Sequence, residues 1–433
     1  MQGWRIRNET SSVVPVTEDF LPRNSAALAA ETLSDTPVTV ITGARQVGKS
    51  TLMQQLVRDR PARVISLDIE TDRDAAERDP DGFAGQFPQG ILAIDEIQRV
   101  PKLLMALKAS VDSDRRPGRF LVTGSADLLS LRGAQESLAG RAQTIPLEGL
   151  SRGELAERVE DFAAFAWNLP NLPVIPDCPG YTRRDYLEMT TSPAFPELRS
   201  ASARTRSRWL DNYADRVLSR DTADISGIAY PDRLAPLLTL ISGRNCGEFV
   251  AARVAREVDI PERSLPTYLK ALRSVYLVRV IPGWFNNVAD RAVSTSKVAV
   301  ADTGLAAHLA EVHVDGLERN VSSTLTGGFV EGFVVGELAK QQTWSAKTYS
   351  ISHYRDNHGR EVDLVLENRS REVVGVEVKA TTSVRSGDFR GLTHLRDRLG
   401  ERFVAGVVLH TGARAVPFGD RLWALPLAAL WEY

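Results

Sequence analysis

The sequence has no long hydrophobic run: nothing in it approaches the 18 consecutive apolar residues that a membrane-crossing helix needs. Its opening, MQGWRIRNET, lacks an apolar core behind the basic start, so no secretory leader is expected. Cysteine is scarce. Cys178 and Cys246 are the only two, too few for a disulfide framework or a four-thiolate zinc site. An excess of one charge is also missing, since 53 basic and 55 acidic side chains leave a formal net charge of −2. That near-balance hides one local asymmetry: residues 230–300 carry ten basic against six acidic side chains, a mild excess that leaves nucleic-acid contact open. No fixed-period repeat is evident. These absences make the cytosol the expected compartment and remove membrane-spanning and disulfide-stapled classes.

What is present is an ordinary globular composition over 433 residues, 43% hydrophobic and 25% charged, enough for several domains. Residues 1–150 read as α/β. Apolar runs at Val38–Thr42, Arg63–Asp68, Ile91–Asp95, Arg119–Thr123 and Thr144–Leu147 alternate with helical periodicity, which predicts a parallel sheet covered on both faces. Residues 151–229 read as helical, interrupted by Pro170, Pro173, Pro176 and Pro179, a run expected to loop over the surface. Residues 230–322 show three short helical patterns and then a strand, Tyr276–Ile281, the plan of a winged helix. Residues 323–433 run helix, three strands, helix, strand, a second α/β unit.

The first unit carries the sharpest motif. Gly43-Ala44-Arg45-Gln46-Val47-Gly48-Lys49-Ser50, followed by Thr51, fits G-x-x-x-x-G-K-[ST] between an apolar strand and a helix expected over Thr51–Arg58. The glycines let the backbone curl so that N–H groups point at phosphate oxygens. Lys49 then reaches the β and γ phosphates of ATP, and the Ser50 hydroxyl ligates Mg²⁺. Downstream, the strand Ile91–Asp95 ends in Asp95-Glu96. Asp95 suits the magnesium, and Glu96 suits the general base that polarises the attacking water. On the next strand, Ser125, with Thr123 as second choice, is placed to position that water; an equal alternative makes Ser125 the cap of a helix over residues 126–131. Arg141, just before the last strand, is either an arginine finger toward the same or a neighbouring subunit or an ordinary surface arginine. The trans role would require self-association.

GARQVGKSTL, ILAIDEIQRVP, FLVTGSADLL and SLAGR resemble the prokaryotic AAA-like P-loop ATPases whose C-terminal half is a restriction-endonuclease-like domain. The similarity continues through RWLDNYADRVLSRD, YLVRVIPGWFNN, KVAVADTGLAAHL, GGFVEGFVVGEL and GREVDLVLE…VGVEVKA, and so covers most of the chain from about residue 20. The resemblance implies ATP binding, a winged-helix linker and a nuclease-like C-terminal unit.

In that last unit Asp363, Glu377 and Lys379 follow the pattern D-x(n)-E-x-K to which the block is similar. Residues two apart on a strand share a face, so Glu377 and Lys379 point together. Asp363 and Glu377 are the expected ligands of a divalent cation, with Lys379 orienting water toward a phosphodiester. Glu331 and Glu337 on the preceding helix are six residues apart, about 240° around its axis, so only one can join them; Glu331 is preferred and Glu337 held in reserve. A surface E-x-K on an edge strand, or an inactive nuclease-like fold, accounts for the same residues.

In the winged-helix segment Arg263, Lys270 and Arg273 are placed for a DNA backbone, while Leu265, Leu269 and Leu272 face inward. The same fold also serves as a rigid protein-binding module. Trp284 and Phe285 either stack on bases or close the core behind the wing. The function expected is a Mg²⁺-dependent ATPase coupled to a DNA-binding, nuclease-like unit. The alternative is a nucleotide switch with no cleavage, and a weaker third is a small-molecule phosphotransferase.

Overall fold

The computed structural model describes residues 21–125, 138–222, 228–286, 295–320 and 323–433. The helix expected over 126–131 lies outside them. Among the described residues no helix is long and apolar enough to cross a membrane.

Five strands, β1 (Val38–Thr42), β2 (Ala62–Ser66), β3 (Ile91–Asp95), β4 (Phe120–Gly124) and β5 (Ala142–Pro146), form one parallel sheet in the order β2-β3-β4-β1-β5. β1 and β4 are buried throughout, as the unbroken apolar run of each requires when helices cover both faces. Insertion of β4 between β1 and β3 decides the site. The C-terminal ends of all three strands open onto one edge, with β4 reaching between the phosphate-loop motif and the Asp95-Glu96 pair.

The middle of the chain is three helices, Leu234–Gly243, Ala251–Glu257 and Leu265–Ser274, with an antiparallel sheet of β6 (Gly247–Glu248), β7 (Val278–Ile281) and β8 (Lys297–Val300) ordered β6-β8-β7. On the helix Leu265–Ser274 the buried set is Leu265, Tyr268, Ala271 and Leu272; Leu269 is half-buried. Arg263, Lys270 and Arg273 are exposed.

The last sheet runs β13-β14-β12-β11-β10-β9, comprising β9 (Tyr349–Arg355), β10 (Glu361–Asn368), β11 (Val373–Lys379), β12 (Phe403–His410), β13 (Val416–Pro417) and β14 (Leu422–Pro426). β10 and β11 are an antiparallel hairpin, and β12 returns parallel to β11 after the helix Arg390–Leu399. The hydrophobic helix Thr324–Gln341 lies against β11 and is buried over most of its length, so it belongs to the interior on all sides.

The proline-rich segment does run on the surface, but it is strapped down. The Cys178 N–H donates to the carbonyl of Ala413 at 2.9 Å, the Ala415 N–H to Asp177 at 2.7 Å, and the Tyr433 hydroxyl to the carbonyl of Pro176 at 2.6 Å. Proline's missing N–H makes such a segment dependent on its neighbours for anchoring. Trp284 is buried in the core of the last unit, edge-on to Tyr354, and has no face left for a base.

Candidate phosphate-binding site and carboxylate cluster

The loop between β1 and the helix Lys49–Val57 needs its glycines in two different ways. Gly48 has φ of 98°, in the left-handed region that side chains avoid. A β-carbon on Gly43 would meet the carbonyl oxygen of Leu147 at 2.0 Å, so the loop and the strand behind it approach as closely as backbone allows. The helix starts at Lys49, two residues before the expected Thr51. Its N-terminal amides therefore begin inside the motif and face the loop's mouth.

Lys49 is buried, and its ammonium donates to the carbonyls of Gly43 at 3.1 Å and Ala44 at 2.8 Å. Burial pushes the ammonium below the usual lysine range, only partly offset by Glu96 and Asp95. The Ser50 hydroxyl lies 2.9 Å from both oxygens of Asp95. Thr123 also donates to Asp95 and, through the same oxygen, accepts the Glu96 N–H at 3.1 Å. Ser125 donates to Glu96 at 3.2 Å. The residues picked from three separate strand ends thus meet in one hydrogen-bonded row.

Two members of this site carried no signal strong enough to be singled out. Gln98 donates both to Glu96 and to the Ser125 hydroxyl, the latter at 2.9 Å, while its own carbonyl oxygen is buried without a partner. Arg23, ahead of the first strand, is buried and donates to the carbonyls of Val47 at 2.8 Å and Glu148 at 2.7 Å and to the carboxylate of Glu154 at 2.9 Å. It holds the loop from beneath. The cleft above the loop measures about 590 Å³, and its far wall is Pro196, Glu197, Trp209, Asn212, Tyr213 and Arg216. Most of that wall comes from the helix Ala203–Arg216, and Arg45 ties the loop to the turn that follows it through Asp221 at 2.6 Å.

Arg141 is not at this cleft. It precedes β5, at the start of the sheet, where its carbonyl accepts the Val38 N–H. The phosphate loop leaves the other end of β1, roughly 16 Å away along a five-residue strand. Its guanidinium grips Asp112 with two bonds of 2.7 and 3.0 Å. The same-subunit finger is therefore excluded by the parallel direction of β5.

In the last unit Glu377 and Lys379 share a face and pair at 2.7 Å. Asp363, across the hairpin, accepts the Val378 N–H at 2.9 Å. Burial, and then Asp363, push the Glu377 carboxyl up to about 8, and its second oxygen is buried without a hydrogen-bond partner. Of the two helix glutamates, Glu331 faces Asp363. Glu337 points elsewhere, bonded to Lys340 at 2.6 Å and to the N–H of Arg152 at 2.8 Å.

Sequence reasoning missed the residue at the centre. Lys297, first in β8 and 4% exposed, puts its ammonium 2.7 Å from Glu331, 3.1 Å from Glu361 and 3.6 Å from Asp363. Burial alone would lower it; these carboxylates outweigh burial and hold it above the usual lysine range. Three carboxyls share one ammonium, and Glu331, pushed up to about 8 by burial and then by Asp363, favours its proton. A lysine opening the buried strand KVAV was the available signal, because such a charge demands a partner. Among the described residues no group of three or more His, Cys, Asp or Glu is arranged to hold a metal ion.

Residues 35–156 match the family described as AAA domain. The first unit is thus similar to AAA-like P-loop domains. Residues 183–316 and 326–430 match two domains of unknown function, DUF8612 and DUF4143. Over 409 residues the chain is 29% identical to the uncharacterized protein Rv2008c of Mycobacterium tuberculosis, spanning 93% of this chain and 83% of that one. The uncharacterized protein Mb2031c of Mycobacterium bovis matches to the same extent. Among solved structures, the Walker-type ATPase of Pyrococcus abyssi aligns with a TM-score of 0.42 at 17% identity, over 68% of this chain and 97% of that chain. AMPPCP-bound DnaA from Aquifex aeolicus aligns with a TM-score of 0.25 at 14% identity, over 58% and 85%.

Proposed function

We propose that the protein is a Mg²⁺-dependent ATPase whose nucleotide state acts on a DNA-directed, nuclease-like C-terminal unit. The observation that carries the first half is the row Ser50–Asp95–Thr123–Glu96–Ser125 at the mouth of the phosphate loop. Ser50 and Asp95, two hard oxygen donors already in contact, suit a magnesium ion, which when bound supplies charge neutralisation for the phosphates. The main-chain amides of 43–51 hold the phosphates. Lys49 exchanges its two loop carbonyls for phosphate oxygens, a gain for an ammonium that burial has left under-compensated. Glu96 takes the proton of the attacking water, with Ser125 and Gln98 fixing the carboxylate's direction. Trp209 offers the base a stacking wall.

For the C-terminal unit, helix-strand-strand-strand-helix-strand order and the set Asp363, Glu377 and Lys379 support a restriction-endonuclease-like reading. The unpartnered oxygen of Glu377 suits a divalent cation between it and Asp363. The exposed Arg263, Lys270 and Arg273 of the winged-helix segment are the DNA-facing cations. Arg141 acts, in this scheme, only across a subunit boundary and after leaving Asp112, so Arg141→Ala should lower turnover in a protein-concentration-dependent manner.

A second reading, a nucleotide switch whose nuclease-like unit does not cut, is favoured by one observation: Lys297 already neutralises the Glu331 side of the cluster. The test is ATP turnover with and without duplex DNA, on wild type and Glu96→Gln, with plasmid integrity followed in the same tubes. Turnover raised by DNA and lost in Glu96→Gln supports the coupled ATPase. DNA-independent turnover with intact plasmid supports the switch, and turnover retained in Glu96→Gln refutes the assignment of the base.

A further inference from the structure

The carboxylates Glu331, Glu361 and Asp363 come from two elements of the last unit, a helix and β10, whereas Lys297 comes from β8 of the middle unit. The lysine reaches in across a built junction. Arg355 of β9 pairs with Glu248 of β6 at 2.7 Å, the His353 N–H donates to the carbonyl of Pro282 at 3.0 Å, and Gly283 bridges His353 in parallel register. The middle sheet is thereby fastened along the β9 edge, which fixes where β8 begins and hence where the Lys297 stem points. Lys297 is 4% exposed, and its ammonium lies within 4 Å of oxygens of Glu331, Glu361 and Asp363.

A divalent cation held by Glu331 and Asp363 would need oxygens at about 2.0–2.6 Å. The Lys297 nitrogen, at 2.7 Å from one and 3.6 Å from the other, occupies that space. Two cations cannot share so small a dry volume without strong repulsion. The Glu331 thiol neighbour, Cys246 at 3.3 Å, adds no further charge to hold a second ion, because burial keeps the thiol protonated.

We propose that Lys297 is the resident cation of this cluster, an ammonium lent by the middle unit that fills the Glu331–Asp363 position and closes it to divalent metal. Metal binding in the last unit is then confined to the opposite side of Asp363, toward the unpartnered oxygen of Glu377. Glu331, expected from sequence to join the metal ligands, is instead the hydrogen-bond acceptor of the lysine. The inference stands on the junction's geometry and does not need the unit to cleave DNA.

The test uses the full-length protein without nucleotide and two readouts besides activity. Mn²⁺ is titrated by electron paramagnetic resonance into wild type, Lys297→Met and Lys297→Met with Glu331→Gln. Lys297→Met should bind one more Mn²⁺ per chain than wild type, and the double variant should lose that gain. A folded Lys297→Met protein with wild-type stoichiometry overturns the proposal. Because Lys297→Met leaves three carboxyls together and its folding is at risk, wild-type lysines are also labelled with acetic anhydride and read by mass spectrometry, with and without saturating Mg²⁺. Lys297 should stay at least about tenfold less labelled than the exposed Lys347 in both conditions. Labelling of Lys297 that appears on adding Mg²⁺ means that metal displaces it, and overturns the proposal independently of any variant.

Discussion

Lys49 and Lys297 are the same residue at the same exposure, 4% each, beside carboxylates in both cases, yet their charges are shifted in opposite directions. Lys49 donates to two neutral carbonyls, so burial dominates and its ammonium is under-compensated. Lys297 touches three carboxylates, so their field dominates and it is saturated. A buried lysine recruits an outside anion only when its own fold has left its charge unpaid. By that criterion the first site is built to take phosphate, and the second is built to stay closed.

The comparison breaks most visibly on stability. Lys297→Met strands buried carboxyls without their cation and is expected to cost about 3–5 kcal/mol, read from the urea midpoint. Lys49→Ala removes bonds to neutral carbonyls only and should cost no more than ~1.5 kcal/mol on the same scale. Equal losses would erase the distinction between the two lysines.

Next in size is catalysis. Glu96→Gln should reduce ATP turnover roughly 100- to 1,000-fold while nucleotide affinity stays within a few-fold, measured by phosphate release and by equilibrium binding. Gln98→Ala leaves the carboxylate in place but removes one of its two side-chain donors, so a loss of about tenfold in kcat with unchanged KM is expected. A KM effect alone would move Gln98 from orienting the base to shaping the cleft.

The smallest effect is a pH dependence at the junction under the phosphate loop. Burial raises Glu160 to about 7, one oxygen accepting from Asn24 at 2.7 Å and the other without a partner. The fold favours the protonated acid, so this contribution is complete below about pH 4.5 and is lost as pH rises through about 7. Glu160→Gln mimics the protonated form. Its Tm should match wild type near about pH 5 and exceed it by about 2–4 °C near about pH 8. A variant that melts earlier at both pH values would show that the charged form is the one the fold wants.

The phosphate loop and its strand ends were legible because their chemistry fixes residue type, spacing and flanking elements together. A tight turn demands Gly43 and Gly48, and carboxylates at the end of an apolar strand have few structural reasons to be there. The order β2-β3-β4-β1-β5 was not legible, but the parallel direction expected of these strands already sets a residue preceding β5 at the opposite end of the sheet from the loop, so the same-subunit role for Arg141 ran against that expectation. Arg23 and Gln98 were hidden because Arg23 bonds mainly to carbonyls brought close by the fold and Gln98 reaches Ser125 on another strand, contacts that leave no spacing pattern. Lys297 was hidden by distance along the chain: Glu331, Glu361 and Asp363 follow it by 34 to 66 residues. The preference for Glu331 over Glu337 as the residue facing Asp363 agrees with the helix phase, but its partner there is an ammonium. The strands β13 and β14 were overlooked because the first has two residues and the second lies in a continuous apolar run, LWALPLAALW, that periodicity alone does not assign to strand or helix.

The account rests most directly on calorimetric titration of Mg-ATP into the full-length protein, with Lys49→Ala run alongside. It predicts one nucleotide per chain for wild type and a loss of affinity of roughly 100-fold or more for Lys49→Ala. Absence of binding by wild type, or equal binding by both proteins, would contradict it.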